Sequence, residues 1–374
     1  LGSLNPGTSI NFTMSITVPG STVSSNTVTV WADGLENNVP TTPISSVSTA
    51  VSAGASRLAF TTQPSATGTT GGIAFASQPV VTLYDVNNNV LTGSTASVTL
   101  TLSGGTAGAV LTCAQAGNTV TAFNGTATFS GCKINLAGTG YVLTASSLGA
   151  TGAVSNAITI TVGPAAQVGF TTQPVGAAAG AALATQPIVQ VQDAGSNAVS
   201  SSGIAITLSV SPGSTASGLT CTTNPVNTNA SGAAGFAGCT LTGAGTASLL
   251  AQATGLYPAT STSFTITPAG ATKLAFKTPP SATATAGAPF AVQPVVVVQD
   301  AYGNTVTTSS ASVTLAIAVG TGTLTCSQAS NTTAAVSGVA TFSGCSLTPA
   351  GTYQLNATST GLTNAPNTAD IVVS

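Results

Sequence analysis

The sequence predicts an all-β fold built as a series of β-sandwiches, and three observations carry the prediction. One passage is written three times, its apolar residues alternate with polar ones at period two, and Gly, Asn and Ser turns cut it into about seven short strands per hundred residues. The copies open with "RLAFTTQPSATGTTGGIAFASQPVVTLYDVNNNV" at Arg57, "QVGFTTQPVGAAAGAALATQPIVQVQDAGSNAV" at Gln167 and "KLAFKTPPSATATAGAPFAVQPVVVVQDAYGNTV" at Lys273. From 57 to 167 is 110 residues and from 167 to 273 is 106, a spacing that suits one domain per copy.

Each strand follows from its own pattern. In "PVVTLYD", "PIVQVQD" and "PVVVVQD" the aliphatic positions Val81 and Leu83, Val189 and Val191, Val296 and Val298 should face a core. The alternate positions, Thr82 and Tyr84, Gln190 and Gln192, Val297 and Gln299, are read as exposed. A further strand carries Val98, Leu100 and Leu102, matched by Ile206, Leu208 and Val210 and by Val313, Leu315 and Ile317. Phe129, Phe236 and Phe342 stand at one fixed distance before a cysteine and read as core. Pro64, Pro174 and Pro279 follow the first strand, where proline suits an edge or a strand switch. The closing strands are "AITITV", "SFTITP" and "ADIVVS".

The six cysteines fall two per copy: Cys113 and Cys132, Cys221 and Cys239, Cys326 and Cys345. Metal sites want close Cys-x-x-Cys pairs or histidines, and neither occurs, so the pattern reads as one disulfide per repeat and an oxidising compartment. Closing a loop of this length stabilises a domain by about 3 kcal/mol.

Here a resemblance becomes specific. "LAFTTQP", "VQDAYGNTV" and "AGTYQLNAT" resemble the bacterial immunoglobulin-like domains that occur in tandem in invasin- and intimin-type surface proteins, over about residues 55 to 374. The resemblance implies tandem Ig-like β-sandwich domains in an elongated array, acting as a rigid spacer or stalk and not as an enzyme. Repeat 2 departs from the pattern, with Ala247 where Tyr141 and Tyr353 stand, so a corner hydrogen bond from that tyrosine is in doubt there. The expected domains are residues 55–164, 165–270 and 271–374. Residues 1–54 do not match the repeat. With "PGTSINF" and "NTVTV" they read as a partial sandwich, a strand donor or a linker, too few strands to close a sandwich alone.

Chemistry is scarce. Charged residues make up 3 % of the chain, against roughly 25 % in an ordinary protein, and histidine is absent. Ser-His and Cys-His catalysis therefore have no base, and the acids Asp85, Asp193 and Asp300 come one per repeat instead of as facing pairs. No cofactor is expected. A formal charge of −2 offers nucleic acid no basic patch, and polar residues interrupt every apolar stretch well short of a membrane span. The three aspartates have two readings: a calcium site, poorly supplied with oxygens, or an Asx-type turn in which the carboxylate accepts backbone N–H groups. The second is favoured. Lys273 and Lys277 raise an internal isopeptide, disfavoured because Gln167 and Thr171 replace them in repeat 2. Asn11, Asn124, Asn229, Asn331 and Asn356 lie in Asn-x-Ser/Thr sequons and are candidate glycan sites.

A surface so poor in charge lacks the usual protection against association. The first functional reading is thus a structural extracellular or cell-surface protein whose partner is itself, a filament, sheath or layer subunit joined by donor-strand complementation through "SINFTMSITV" or "ADIVVS". The alternatives are the stalk of an adhesin and the non-catalytic arm of a large secreted enzyme.

Overall fold

The computed structural model describes residues 55–374 and, before them, only the backbone of a ribbon pairing Leu35–Glu36 with Val39–Pro40. The Ile10–Val18 strand and Asn11 lie outside the described residues. The described chain is all β apart from two single 3₁₀ turns, Ala116–Asn118 and Ala329–Asn331. Among the described residues, no helix is long and apolar enough to cross a membrane. The chain divides into two compact units, Leu1–Gly163 and Pro164–Ser374, the second of which contains two of the repeats.

The three repeats build one pattern. The first strand, Arg57–Thr62, runs antiparallel to Val80–Tyr84, which pairs on its other side with Thr126–Thr128. Repeats 2 and 3 do the same with Gln167–Thr172, Ile188–Gln192 and Ala233–Gly235, and with Lys273–Thr278, Val295–Gln299 and Val339–Thr341. The first strand slips register at one place in every repeat, between Phe60 and Thr62, Phe170 and Thr172, and Phe276 and Thr278. This bulge lies just before Pro64, Pro174 or Pro279, where the missing N–H ends the ladder. The facing sheet pairs Ser97–Ser103 with Gly138–Ser147, Ala205–Val210 with Leu249–Gln252, and Ser312–Val319 with Gly351–Thr358.

Between the two sheets lies a separate apolar core for each repeat, as period-two alternation requires. Val81, Leu83, Val189, Val191, Val296 and Val298 are fully buried within these cores, and Phe129, Phe236 and Phe342 join them. Leu102, Val210 and Ile317 are only partly buried and pack against these cores.

One expectation needs correction. Thr82, Gln190 and Val297, read as exposed, are buried at 5, 7 and 5 % exposure. They sit at the middle of a central strand whose outer face is covered by its neighbours. The Thr82 hydroxyl meets that of Thr61 at 2.9 Å, and Gln190 Nε2 donates to Ser231 O at 2.8 Å and Val191 O at 3.1 Å. Alternation marks the sandwich interior; it does not guarantee that the other face is wet. Tyr84, Gln192 and Gln299, nearer the strand end, are half-buried.

A short two-stranded ribbon beside each core carries the disulfide in repeats 1 and 3: Leu111–Thr112 with Lys133–Ile134, and Thr323–Thr325 with Ser346–Thr348. Sulfur bonds join Cys113 to Cys132, Cys221 to Cys239 and Cys326 to Cys345, with S–S distances of 2.04, 2.06 and 2.06 Å. Gly131, Gly238 and Gly344 precede the second cysteine with φ of 61, 59 and 59°, a left-handed turn that explains the Gly-Cys pair in every copy.

The closing strand of repeat 3, Ile371–Val373, is not a free donor. It lies between Gly351–Thr358 and Thr283–Ala284, and Ile371 and Val373 point into their own core at 1 and 3 % exposure. Pulling it out to serve another subunit would open the sandwich it seals.

Candidate functional site: the aspartate turn and the joint it makes

After the second strand of each repeat the chain turns through Asp-x-x-x-Asn. Asp85 Oδ1 accepts the N–H groups of Asn87 and Asn89, both at 2.8 Å, and Asn89 Nδ2 donates to Asp85 Oδ2 at 3.1 Å. Asp193 Oδ1 accepts from Gly195 and Asn197, and Asp300 Oδ1 from Tyr302 and Asn304, at 2.8 to 2.9 Å. The turn needs a positive φ at its fourth residue, which Asn88, Ser196 and Gly303 provide at 65, 71 and 90°. The carboxylate is thus the nucleus of an Asx-type turn, directed at N–H donors. No cluster of three or more metal-ligating side chains occurs among the described residues.

The electrostatics follow from those bonds. At Asp85 the Asn89 N–H dominates, and it holds the carboxyl below the ordinary carboxylate range against the opposing effect of burial. At Asp300 burial is the largest influence and pushes upward. The Asn304 carboxamide and the N–H groups of Ala269, Asn304 and Tyr302 together outweigh it, so this carboxyl too is lowered.

In repeat 3 the same turn reaches out of its own domain. Asn304 Nδ2 donates to Thr242 O, and Ala244 N–H donates to Asn304 Oδ1, both at 2.8 Å and both across to repeat 2. Asn304 Nδ2 also reaches Asp300 Oδ2 at 2.8 Å, which locks the carboxamide in its working orientation. Asp300 Oδ2 takes the N–H of Ala269, in the connection between the two repeats, at 2.9 Å. The Tyr302 ring lies against Gly180 of repeat 2, where a Cβ would overlap its hydroxyl. A buried carboxylate thus fixes a turn, the turn aims an asparagine, and the asparagine clips two main-chain groups of the preceding domain. The adjoining groove, about 430 Å³, is walled by Ala244, Thr265, Pro268, Asn304 and Thr307 among others, and no titratable side chain enters it.

Tyr141 and Tyr353 are fully buried, and their hydroxyls donate to Leu136 O at 2.9 Å and Pro349 O at 2.7 Å. Repeat 2 has Ala247 in that place, and main-chain bonds close the corner instead: Gly243 N–H to Ser217 O at 2.9 Å and Thr242 N–H to the same oxygen at 3.1 Å.

Three glutamines escaped the sequence reading. Gln78, Gln186 and Gln293 each accept the N–H of the second cysteine, at 2.8 Å, and donate back to its carbonyl and to Phe75 O, Leu183 O or Phe290 O. The signal was present as a Gln-Pro pair at one position in all three copies.

Of the sequon asparagines, Asn124 and Asn229 are exposed and Asn356 is half-buried in a strand. Asn331 is different. Its Oδ1 accepts Cys326 N–H and its Nδ2, the nitrogen that would carry a sugar, donates to Leu324 O at 2.9 Å, so it acts as a structural clip. Lys273 Nζ donates to Ala301 O at 3.3 Å, and Lys277 is exposed.

Fold and joint together define a tandem β-sandwich repeat protein. No protein-family model matches the chain, and no curated protein matches it. Among solved structures, it is similar to the Escherichia coli adhesin FdeC at 18 % identity and a TM-score of 0.25, over 85 % of this chain and 96 % of that one. It is similar to domains 5–6 of the S-layer protein SbsC at 15 % identity and 0.21, over 56 and 97 %. It is also similar to a β-glycosidase from Bacteroides vulgatus at 13 % and 0.25, over 55 % of this chain and 24 % of that enzyme.

Proposed function

We propose that the chain is a non-enzymatic extracellular spacer, a stalk whose work is to hold its repeats at a set distance and angle. The observation that carries this reading is the joint of Asp300, Asn304 and Tyr302 against repeat 2. A flexible string of domains has no need of directional bonds between neighbours, whereas a spacer that bears load or sets reach does. One disulfide per repeat supports placement outside the cytoplasm, because such bonds persist in oxidising compartments.

A second reading, self-association into a filament, sheath or layer, is favoured by the surface. Ten charged side chains serve 374 residues, and Leu148, Phe123, Val336 and Tyr257 are exposed at 99, 78, 76 and 76 %. Little repulsion opposes packing of such faces. Donor-strand joining in this reading falls to the N-terminal region, since Ile371–Val373 is committed to its own sandwich.

Negative-stain electron microscopy with sedimentation, under non-reducing conditions, tests both. Monomers of constant length and small bend between the last two domains are expected of the spacer. Freely hinged particles would refute it, and ordered filaments or sheets would establish the second reading.

A further inference from the structure

The chain carries five Asn-x-Ser/Thr motifs, and the four on described residues sit in very different surroundings. Asn331 is committed to structure: its carboxamide clips Cys326 N–H and Leu324 O, so a sugar on Nδ2 would break the clip. Asn356 is half-buried within the strand Gly351–Thr358, opposite Ala316 of its neighbour. Asn229 folds its own turn. Its Oδ1 accepts the N–H groups of Ser231 and Ala233, both at 3.0 Å, and the Ser231 hydroxyl, the other half of the motif, at 2.8 Å.

Asn124 differs from all three. It is exposed at the tip of a two-residue hairpin turn, Asn124-Gly125, with φ of 49 and 74°. Phe123 and Thr126 close that turn by exchanging main-chain bonds of 2.9 and 3.0 Å. The asparagine side chain is not what holds it. Repeat 3 builds the same turn from Ser337-Gly338, with φ of 50 and 73° and the same pair of bonds between Val336 and Val339. A substituent on Asn124 Nδ2 therefore breaks none of the bonds that close the turn. Beside it stand Phe123, 78 % exposed, and Val90, 42 % exposed, whose Cγ1 lies 3.0 Å from where a Cβ on Gly125 would be. A pyranose turns a C–H face to an aromatic ring and hydroxyls to water. A sugar here would cover an apolar turn and hydrate a surface that carries almost no charge.

We propose that Asn124 is a glycan attachment site, and that its co-substrate is a sugar activated at C1 by a pyrophosphate leaving group. Thr126 supplies the hydroxyl the motif requires. In the transfer, Nδ2 bonds to C1 as the C1–O bond to the pyrophosphate breaks. The pyrophosphate leaves with that electron pair, and one Nδ2 proton passes to a base of the transferring enzyme. The activated sugar comes either as a preformed oligosaccharide on a lipid carrier or as a single residue on a nucleotide. The site is independent of whether the chain is a spacer or a filament subunit, since it requires only an exposed turn that tolerates the substituent.

The scarcity of basic residues makes the test direct. Trypsin cuts after Arg57, Lys133, Lys273 and Lys277, so Asn124 is the one sequon of fragment 58–133, Asn229 that of 134–273, and Asn331 and Asn356 share 278–374. Each disulfide lies within a single fragment. Mass spectrometry of the protein purified from the cells that make it should find fragment 58–133 heavier than its sequence by whole sugar residues: one from a nucleotide donor, several from a lipid-linked one. Two variants made in the same cells fix the position. Asn124→Ser installs the residue repeat 3 has there, and Thr126→Val removes the motif's hydroxyl. Each should return fragment 58–133 to its bare mass with all three disulfides still closed. A bare 58–133 fragment from the unaltered protein would overturn the proposal. So would sugar on 134–273 or 278–374 in its place, and so would sugar that persists on 58–133 in both variants, which would put it on a serine or threonine hydroxyl.

Discussion

Replacing Asn304 by alanine should unlock the joint between repeats 2 and 3 without unfolding either. The carboxamide makes three contacts at 2.8 Å, of which two, to Thr242 O and from Ala244 N–H, cross between domains. A neutral hydrogen bond contributes about 0.5–1.5 kcal/mol net, so the two are worth about 1–3 kcal/mol to docking. That corresponds to a rise of about 5- to 150-fold in the population of the open joint, and exchange of the Ala244 amide should rise by the same factor. The cores should not notice: repeats 2 and 3 have separate apolar clusters, and the turn keeps the Asp300 bonds to Tyr302 and Asn304 N–H. A double-mutant cycle with Tyr302→Ala sharpens the test, because that ring lies against Gly180 across the same joint. If Asn304→Ala left Ala244 exchange unchanged while the turn stayed folded, the clip would be an incidental contact and the case for a rigid joint would fall.

Other outcomes follow from the same geometry. Tyr353→Phe, which leaves Pro349 O without its hydroxyl donor, should cost repeat 3 about 1 kcal/mol in a urea melt, with no change in repeat 2. Gln293→Ala strands the buried Cys345 N–H and should cost about 1–3 kcal/mol or more, read as a lower midpoint for repeat 3 by hydrogen exchange. Removing one disulfide as a Cys326→Ala, Cys345→Ala pair should cost that repeat about 3 kcal/mol, measured by calorimetry against the intact chain. The Asp300 carboxyl is lowered from its ordinary 3.8, so the unfolded chain binds its proton first as pH falls. Its stabilisation is full above about pH 4 and is lost as pH drops through the lower folded value, and Asp300→Asn should flatten this part of a melting-temperature profile.

The sandwich interior was legible in the sequence because burial on one face imposes a period of two, and three copies show which positions never vary in character. Val81, Val189 and Val296 could be assigned to the core on that ground alone. The opposite face was misread at Thr82, Gln190 and Val297, since what covers a strand's outer face is set by loops far away in sequence, such as the one that brings Ser231 to Gln190. Gln78, Gln186 and Gln293 were overlooked for a related reason: their partners lie 52 to 54 residues downstream, and a polar residue before proline reads locally as a turn. The aspartate turn was visible as a turn, because its bonds are local. Its role as a clip was not, because Asn304 meets Thr242 and Ala244 some sixty residues back, and nothing in "DAYGN" names them.

That difference bears on how a chain with so little chemistry acquires a function. The turn is first a local device, present in all three repeats and stable on its own bonds. The joint adds one requirement, that the preceding domain present a carbonyl and an N–H two residues apart, at Thr242 and Ala244, where Asn304 can reach both. Those are backbone groups, available in any sandwich that ends its ribbon in the same register, so almost any side chains there will serve. Repeat 2 shows the tolerance directly: it lacks the buried tyrosine and closes its corner with main chain, yet it still offers the cradle. On the spacer reading, such a chain can lengthen by repeating one domain, because the joint is specified by the turn of the incoming repeat and by a backbone the fold supplies in any case. Loss of Asp300 or Asn304 should therefore weaken the joint between repeats 2 and 3 and leave both cores, whereas loss of a core valine should remove a whole domain.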